Sequence, residues 1–151
     1  ALEKHIDLGY DGASVEDIHA RLEGNATLLA ELVRNLLDNA INYTPSSRNQ
    51  PGVVTARVVT DPFGQVLLLQ VENSGPGIPA SERELIFQPF YRSLGHEADG
   101  SGLGLSIVRE IARQHGAQIT VDALQPGAPQ PGTRFTVRFA PLALPQGLPI
   151  A

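Results

Sequence analysis

Asn35 and Asn39 stand four residues apart in the run Asn35-Leu36-Leu37-Asp38-Asn39-Ala40-Ile41-Asn42-Tyr43, so a helix through them projects both carboxamides from one face. A carboxamide carries a carbonyl acceptor and two N–H donors, which suits a magnesium ion accompanied by phosphate oxygens. Taken alone, the pair fits a solvated helix face better than a ligand site. A second segment, Asn73-Ser74-Gly75-Pro76-Gly77-Ile78, has glycines that would let the backbone approach a flat ligand closely, although by itself it reads as an ordinary turn. A third, Phe87-Gln88-Pro89-Phe90-Tyr91-Arg92, is aromatic and basic together and reads equally as an apolar plug under a loop. The fourth, Gly100-Ser101-Gly102-Leu103-Gly104-Leu105-Ser106, opens a helix, where free amides and the positive end of the dipole favour a phosphate. It is too compressed for a P-loop, lacks the lysine that follows one, and does not come directly after a strand as a dinucleotide-binding glycine motif does.

These segments need elements to position them. Leu28, Leu29, Leu32, Val33, Leu36, Leu37, Ala40 and Ile41 recur at helical spacing, with Asn25 placed as a cap and Pro45 as a stop. A strand around His5 to Leu8, closed by an Asp11-Gly12 turn, precedes it. Strands are expected at Val53 to Thr60 and Gln65 to Glu72, joined by a hairpin turn at Asp61-Pro62-Phe63-Gly64. Ser81 and Glu84 have capping-box spacing, which predicts a short helix to about Ile86. A further helix runs from about Gly102 to His115 with Gly116 as its stop, and strands at Gln118 to Ala123 and Thr133 to Phe139 close the chain. This order suits an α/β sandwich of two layers, helices on one face of a mixed sheet. The expected domain is 1–140, with an irregular tail over 141–151.

With 151 residues, 42% hydrophobic and 18% charged, the chain has the balance of one globular domain. No apolar run reaches the ~20 residues that span a bilayer. The absence of cysteine excludes disulfides, thiolate metal sites and cysteine nucleophiles. A net charge of -5, with Lys4 the only lysine, argues against a nucleic-acid-binding face. The start at Ala1 and the lack of methionine suggest a piece of a longer protein.

The strings NLLDNAINY, ENSGPGI, FQPFYR and GSGLGLSIV, in this order, resemble the asparagine box, first glycine box, phenylalanine box and second glycine box of the histidine-kinase ATP-binding domain. That superfamily also holds DNA gyrase, the MutL mismatch-repair proteins and a heat-shock chaperone. The resemblance runs from about Arg21 to Phe139, with Gly132-Thr133-Arg134-Phe135 similar to the family's closing strand. It implies a Bergerat-type fold, a two-layer α/β sandwich whose mixed, mostly antiparallel sheet carries about three helices on one face. It further implies ATP and Mg2+ as cofactors, with Asn39 as magnesium ligand and Asn35 as its phosphate-side companion and a second candidate ligand. Tyr43 would line the nucleotide pocket together with Leu103, Leu105 and Thr133. Gly75 and Gly77 would lie beneath the adenine with Ile78 against its face. Arg92 and the loop to Ser101 would form a lid over the phosphates, hinged at Gly100, Gly102 and Gly104.

The implied activity is phosphoryl transfer from Mg-ATP to a histidine on a separate dimerisation and phosphoacceptor domain, which then serves a response regulator. In hydrolytic relatives a glutamate occupies the Asn35 position and activates water; a carboxamide cannot accept that proton. Two departures favour an alternative, a nucleotide-binding or interaction module with reduced kinase activity. Asn73 stands where the family has an aspartate facing the adenine amino group, and Asn42 stands where it has a lysine or arginine. Loss of the charge at residue 73 should weaken binding by about 1–2 kcal/mol. His5, His19, His96 and His115 all lack the context of the family's acceptor helix and read as surface or loop residues. The resemblance thus implies a cytoplasmic domain of an inner-membrane, dimeric sensor protein, itself monomeric and without direct membrane contact.

Overall fold

In the computed structural model, which describes residues 6–12, 26–44, 51–60, 66–91 and 104–139, the leucine-rich run folds as a single helix, Ala26–Tyr43 (α1). Leu32, Leu36 and Ala40, one turn apart, are wholly buried, the consequence of an apolar stripe recurring at helical spacing. The Thr44 hydroxyl donates to the Ala40 carbonyl in the last turn, satisfying an acceptor that the helix leaves open there. A second helix, Gly104–Gln114 (α2), buries Leu105, Val108, Ile111 and Ala112. It ends as the sequence predicts. Gly116 adopts a φ of 67°, its N–H donates to Arg113 O at 3.1 Å, and the Ala117 N–H reaches back to Ala112 O at 2.8 Å. This paired closure requires a left-handed residue, which glycine supplies without strain.

Five strands follow the order β1-β2-β3-β5-β4, where β1 is Ile6–Gly12, β2 Gly52–Thr60, β3 Leu67–Asn73, β4 Gln118–Asp122 and β5 Thr133–Phe139. β1 pairs with β2 in parallel, with α1 as the crossover, and the other neighbours are antiparallel. The sheet is therefore mixed and mostly antiparallel, as expected. Alternation along the strands sorts the side chains. Val54, Val71, Phe135, Val137 and Phe139 are buried in one core with the apolar faces of the helices. The opposite face is polar: Arg57 Nη1 donates to Glu72 Oε2 at 3.1 Å, and Arg134 grips Asp122 through Nε at 3.1 Å and Nη2 at 2.5 Å. A one-sided antiparallel sheet behaves in this way when helices cover only one of its faces.

Three sequence expectations change. β1 runs on through Asp11 and Gly12, which pair with Arg57 and Val58. Backbone hydrogen bonds to β2 there outweigh the turn preference of an Asp-Gly pair. The short helix predicted from Ser81 is instead two single 3-10 turns, Ala80–Glu82 and Leu85–Phe87, and neither has a side-chain cap. The second of these turns buries Ile86 and Phe87, whereas the first buries nothing. β3 also starts and ends later than predicted, so Asn73 is its last residue rather than the first of the following loop. Asn25, Pro45, the Asp61 to Gly64 turn and the tail 141–151 lie outside the described residues.

Candidate functional site

At about 100° of rotation per residue, Asn35, Asn39 and Asn42 fall on one flank of α1, beside the stripe that Leu32 and Leu36 bury. All three are half-buried. That flank turns toward the start of α2. A methyl group placed on Gly104 would lie 3.4 Å from Asn35 Oδ1, so the first asparagine of the row and the first residue of α2 face one another across a gap that a methyl would span at ordinary contact distance.

The Asn35 amide has a defined polarity. Its Nδ2 donates to the Glu31 carbonyl at 2.8 Å and lies 3.3 Å from Glu31 Oε1. The donor end is thus held along α1, and Oδ1 is the end near Gly104. Glu31 is itself paired with Arg34. The sequence reading did not single out Glu31, although its position four residues before Asn35 is a signal that it shares that flank. An amide oxygen beside a helix N-terminus makes a place where a cation and an anion can be held together. Among the described residues no group of three His, Asp or Glu side chains could hold a metal. A carboxamide oxygen such as Asn35 Oδ1 would suit a magnesium ion whose other oxygens come with a ligand, which is how this ion is commonly held beside phosphates. The residues fit a metal that arrives with a phosphorylated ligand.

The other group forms where β3 ends. Asn73 pairs with Val54 on one side and Thr133 on the other. It is 7% exposed and Thr133 is 4% exposed. The Asn73 Nδ2 donates to the Ser74 carbonyl at 3.0 Å. Glu72, next in sequence, lies on the polar face against Arg57 and does not stand in for a carboxylate at residue 73. The glycine loop after β3 is pinned at several points. Ser74 N–H donates to Val53 O at 2.9 Å, Val53 N–H to Ser74 Oγ at 2.9 Å, and Gly132 N–H to Gly75 O at 2.8 Å.

Gly75, Gly77 and Gly132 all have positive φ, and at two of them the space is closed as well. Gly77 has φ 80° and a side chain there would meet Pro131 Cγ at 3.0 Å and Gly132 O at 3.1 Å; Gly132 has φ 71° and would meet Asn73 O at 2.9 Å. Gly132 thus seats the β4–β5 connection directly against Asn73. The sequence reading used it only as part of the closing strand. Ile78 is partly buried against the core, and Arg83 Nε donates to its carbonyl at 3.2 Å.

Phe87 anchors the third segment. Its ring meets Phe135 edge-on, with centroids 6.3 Å apart, and the Arg109 guanidinium lies 5.4 Å above it. Tyr91 Oη donates to Glu82 Oε1 at 2.7 Å, and that bond is the chief reason its phenol pKa is raised above the ordinary value. The structure thus draws Asn35 to Gly104, with Leu105 buried behind it, and Asn73 to Thr133 and Gly75. α1 packs on α2 and on β3 and so adjoins both groups. Arg92, Gly100, Ser101, Gly102 and Leu103 lie outside the described residues, as does the side chain of Tyr43.

Residues 24–143 match the family model described as histidine kinase-, DNA gyrase B-, and HSP90-like ATPase. The signal transduction histidine-protein kinase/phosphatase MprB of Mycobacterium sp. (strain KMS) is 45% identical over 116 residues, 76% of this chain and 21% of the relative. The protein of the same name from Mycobacterium leprae is 40% identical over 132 residues, 87% of this chain and 24% of the relative. The chain spans about a fifth to a quarter of the length of these curated relatives. Among solved structures, a mycobacterial sensor histidine kinase MprB superposes with a TM-score of 0.74 at 32% identity, covering 91% of this chain and 83% of that one. The catalytic domain of histidine kinase ThkA, in a nucleotide-free form, gives 0.69 at 28% identity, covering 89% and 80%.

Proposed function

The chain belongs to the family of histidine kinase-, DNA gyrase B- and HSP90-like ATPases and is a catalytic ATPase domain of the histidine-kinase type, and on that premise we propose that it binds Mg-ATP and passes the terminal phosphoryl group to a histidine on a separate helical domain. The observation that carries this reading is the approach of Asn35 Oδ1 to Gly104. It sets a cation-seeking oxygen against a phosphate-seeking helix end. Phosphoryl transfer asks little covalent chemistry of a protein and much positioning and charge neutralisation. In this reading Asn39 and Asn35 hold the ion, the first amides of α2 hold the phosphates, and Asn73, Thr133, Gly75 and Gly77 hold the base. Magnesium, when bound, supplies charge neutralisation at the transferred group.

The same residues disfavour hydrolysis. Asn35 has no proton affinity with which to activate water, and its amide is held by Glu31. One observation favours the weaker alternative, a nucleotide-binding module of reduced activity. The Asn73 amide is neutral and turns one N–H to Ser74, so the charge-assisted contact that an aspartate would give the base is absent. The remainder of the parent protein would supply the acceptor histidine and the dimer contacts, a response regulator would receive the phosphoryl group, and this domain would face the cytoplasm. No helix among the described residues is long and apolar enough to cross a membrane.

The test is phosphotransfer. The domain is incubated with γ-labelled ATP, magnesium and a dimeric acceptor domain from a related kinase, and the label on the acceptor is followed with time. Label that is acid-labile and lost on changing the acceptor histidine supports the kinase reading. Nucleotide binding without any transfer supports the binding module, and ATP turnover with no acceptor present would point instead to a hydrolase.

A further inference from the structure

A carboxamide is nearly symmetrical in shape and opposite in chemistry at its two ends, so turning it over exchanges an acceptor for a pair of donors at almost no steric cost. Resting on the reading that Asn35 Oδ1 faces the cation and the phosphates, we propose that Glu31 is a positioning residue for this site. Its backbone carbonyl and its carboxylate together hold the Asn35 amide with the oxygen toward Gly104.

The contacts of Asn35 carry this. Its Nδ2 lies 2.8 Å from Glu31 O and 3.3 Å from Glu31 Oε1, so both acceptors on that side of the amide come from one residue. A carbonyl and a carboxylate only accept. With the amide turned over, Oδ1 would meet two acceptors and Nδ2 would face Gly104, presenting donors where a cation has to sit. Asn35 and Glu31 are both half-buried, so water makes good less of such a mismatch than it would on an open surface. The carboxylate is itself held: Oε2 accepts from Arg34 Nη2, which leaves Oε1 toward Asn35. The arrangement follows from helical spacing, since residues three and four further along α1 both stand beside residue 31. Glu31 therefore acts through Asn35, whose Oδ1 is the atom that a methyl on Gly104 would meet at 3.4 Å.

The test is Mg-ADP binding by titration calorimetry to the native chain, Glu31→Ala, Glu31→Gln, Asn35→Ala and the double variant Glu31→Ala/Asn35→Ala, with ADP in EDTA as the metal-free measurement. The backbone carbonyl survives every substitution, so the side chain's share is one hydrogen bond. Glu31→Ala should bind Mg-ADP about three- to tenfold more weakly and ADP in EDTA within about twofold of native. Glu31→Gln, whose side-chain oxygen still accepts, should stay within about twofold of native in both. In the Asn35→Ala background Glu31→Ala should change nothing further, because the amide it positions is gone. Alanine is the better helix former and an exposed pair such as that with Arg34 contributes little, so the melting temperature should hold. Unchanged Mg-ADP binding by Glu31→Ala overturns the inference. A loss equally large in EDTA or in the Asn35→Ala background overturns it too, since Glu31 would then act as a distant charge. So does a loss by Glu31→Gln as large as that by Glu31→Ala. No Mg-ADP binding by the native chain overturns the nucleotide reading itself, and the inference with it.

Discussion

Replacing Gly104 by alanine should separate stability from binding, because the structure predicts opposite signs for the two. Gly104 opens α2 with helical geometry, so alanine there is compatible with the backbone and reduces the freedom of the unfolded chain, worth about 0.4–1 kcal/mol. For a domain of this size that is a rise in Tm of roughly 1–4 °C. The added methyl would lie 3.4 Å from Asn35 Oδ1, an ordinary contact that the fold tolerates. It would nevertheless fill the space in which, on the proposed reading, a phosphate must approach the first amides of α2. A phosphate oxygen must come to about 2.9 Å of an amide nitrogen to be held, and a methyl in its path forces a shift or the loss of one charge-assisted bond, about 1.5–3 kcal/mol. The expected outcome is ten- to a hundredfold weaker Mg-ADP binding by calorimetry, in a protein that melts no lower than the parent. Unchanged binding, within twofold, would refute the placement of phosphate between Asn35 and α2.

Gly132→Ala should behave differently. It requires a left-handed alanine and sets a side chain 2.9 Å from the backbone oxygen of Asn73, so a loss of about 2–4 kcal/mol is expected, visible as a Tm lower by roughly 5–15 °C. Asn39→Ala, on the half-buried flank of α1, should lower nucleotide affinity about tenfold or more with magnesium present and little with EDTA, as calorimetry in the two buffers would read. Tyr91, whose phenol pKa is raised by its bond to Glu82, should ionise above the ordinary tyrosine range in an alkaline absorbance titration, and Tyr91→Phe should remove that late component. A raised folded pKa means that the contact's contribution is whole below the ordinary tyrosine pKa and lost as pH rises through the folded value; Tyr91→Phe should therefore flatten the alkaline fall in stability.

Much of the fold was legible because its signals are local. Leu32, Leu36 and Ala40 repeat at helical spacing whatever lies beside them, and Gly116 ends α2 because only glycine adopts its φ of 67° cheaply. β5 was read at its observed limits, Thr133 to Phe139, since alternation between two turn-rich stretches leaves a strand little choice. The misreadings came where neighbours overrule local preference. Asp11-Gly12 has turn chemistry but is held extended by β2, and the Ser81 to Glu84 spacing has capping chemistry, yet no side chain caps either 3-10 turn and only the second buries apolar residues.

The sequence by itself determined which chemistries this protein can attempt. Four motifs in order named a nucleotide fold, the absence of cysteine closed off thiol chemistry, and a carboxamide at residue 35 leaves no carboxylate there to take a proton from water. Side-chain type is a property of each residue alone, so these conclusions needed no coordinates. Only the tertiary structure decided which way each amide turns and which glycines seat against it. Asn35 turns Oδ1 to Gly104 because Glu31 holds its nitrogen, and Asn73 turns an N–H to Ser74 beneath Gly132. The polarity of a carboxamide is set by whatever its two ends touch, and those partners are brought together by packing, which spacing along the chain does not record.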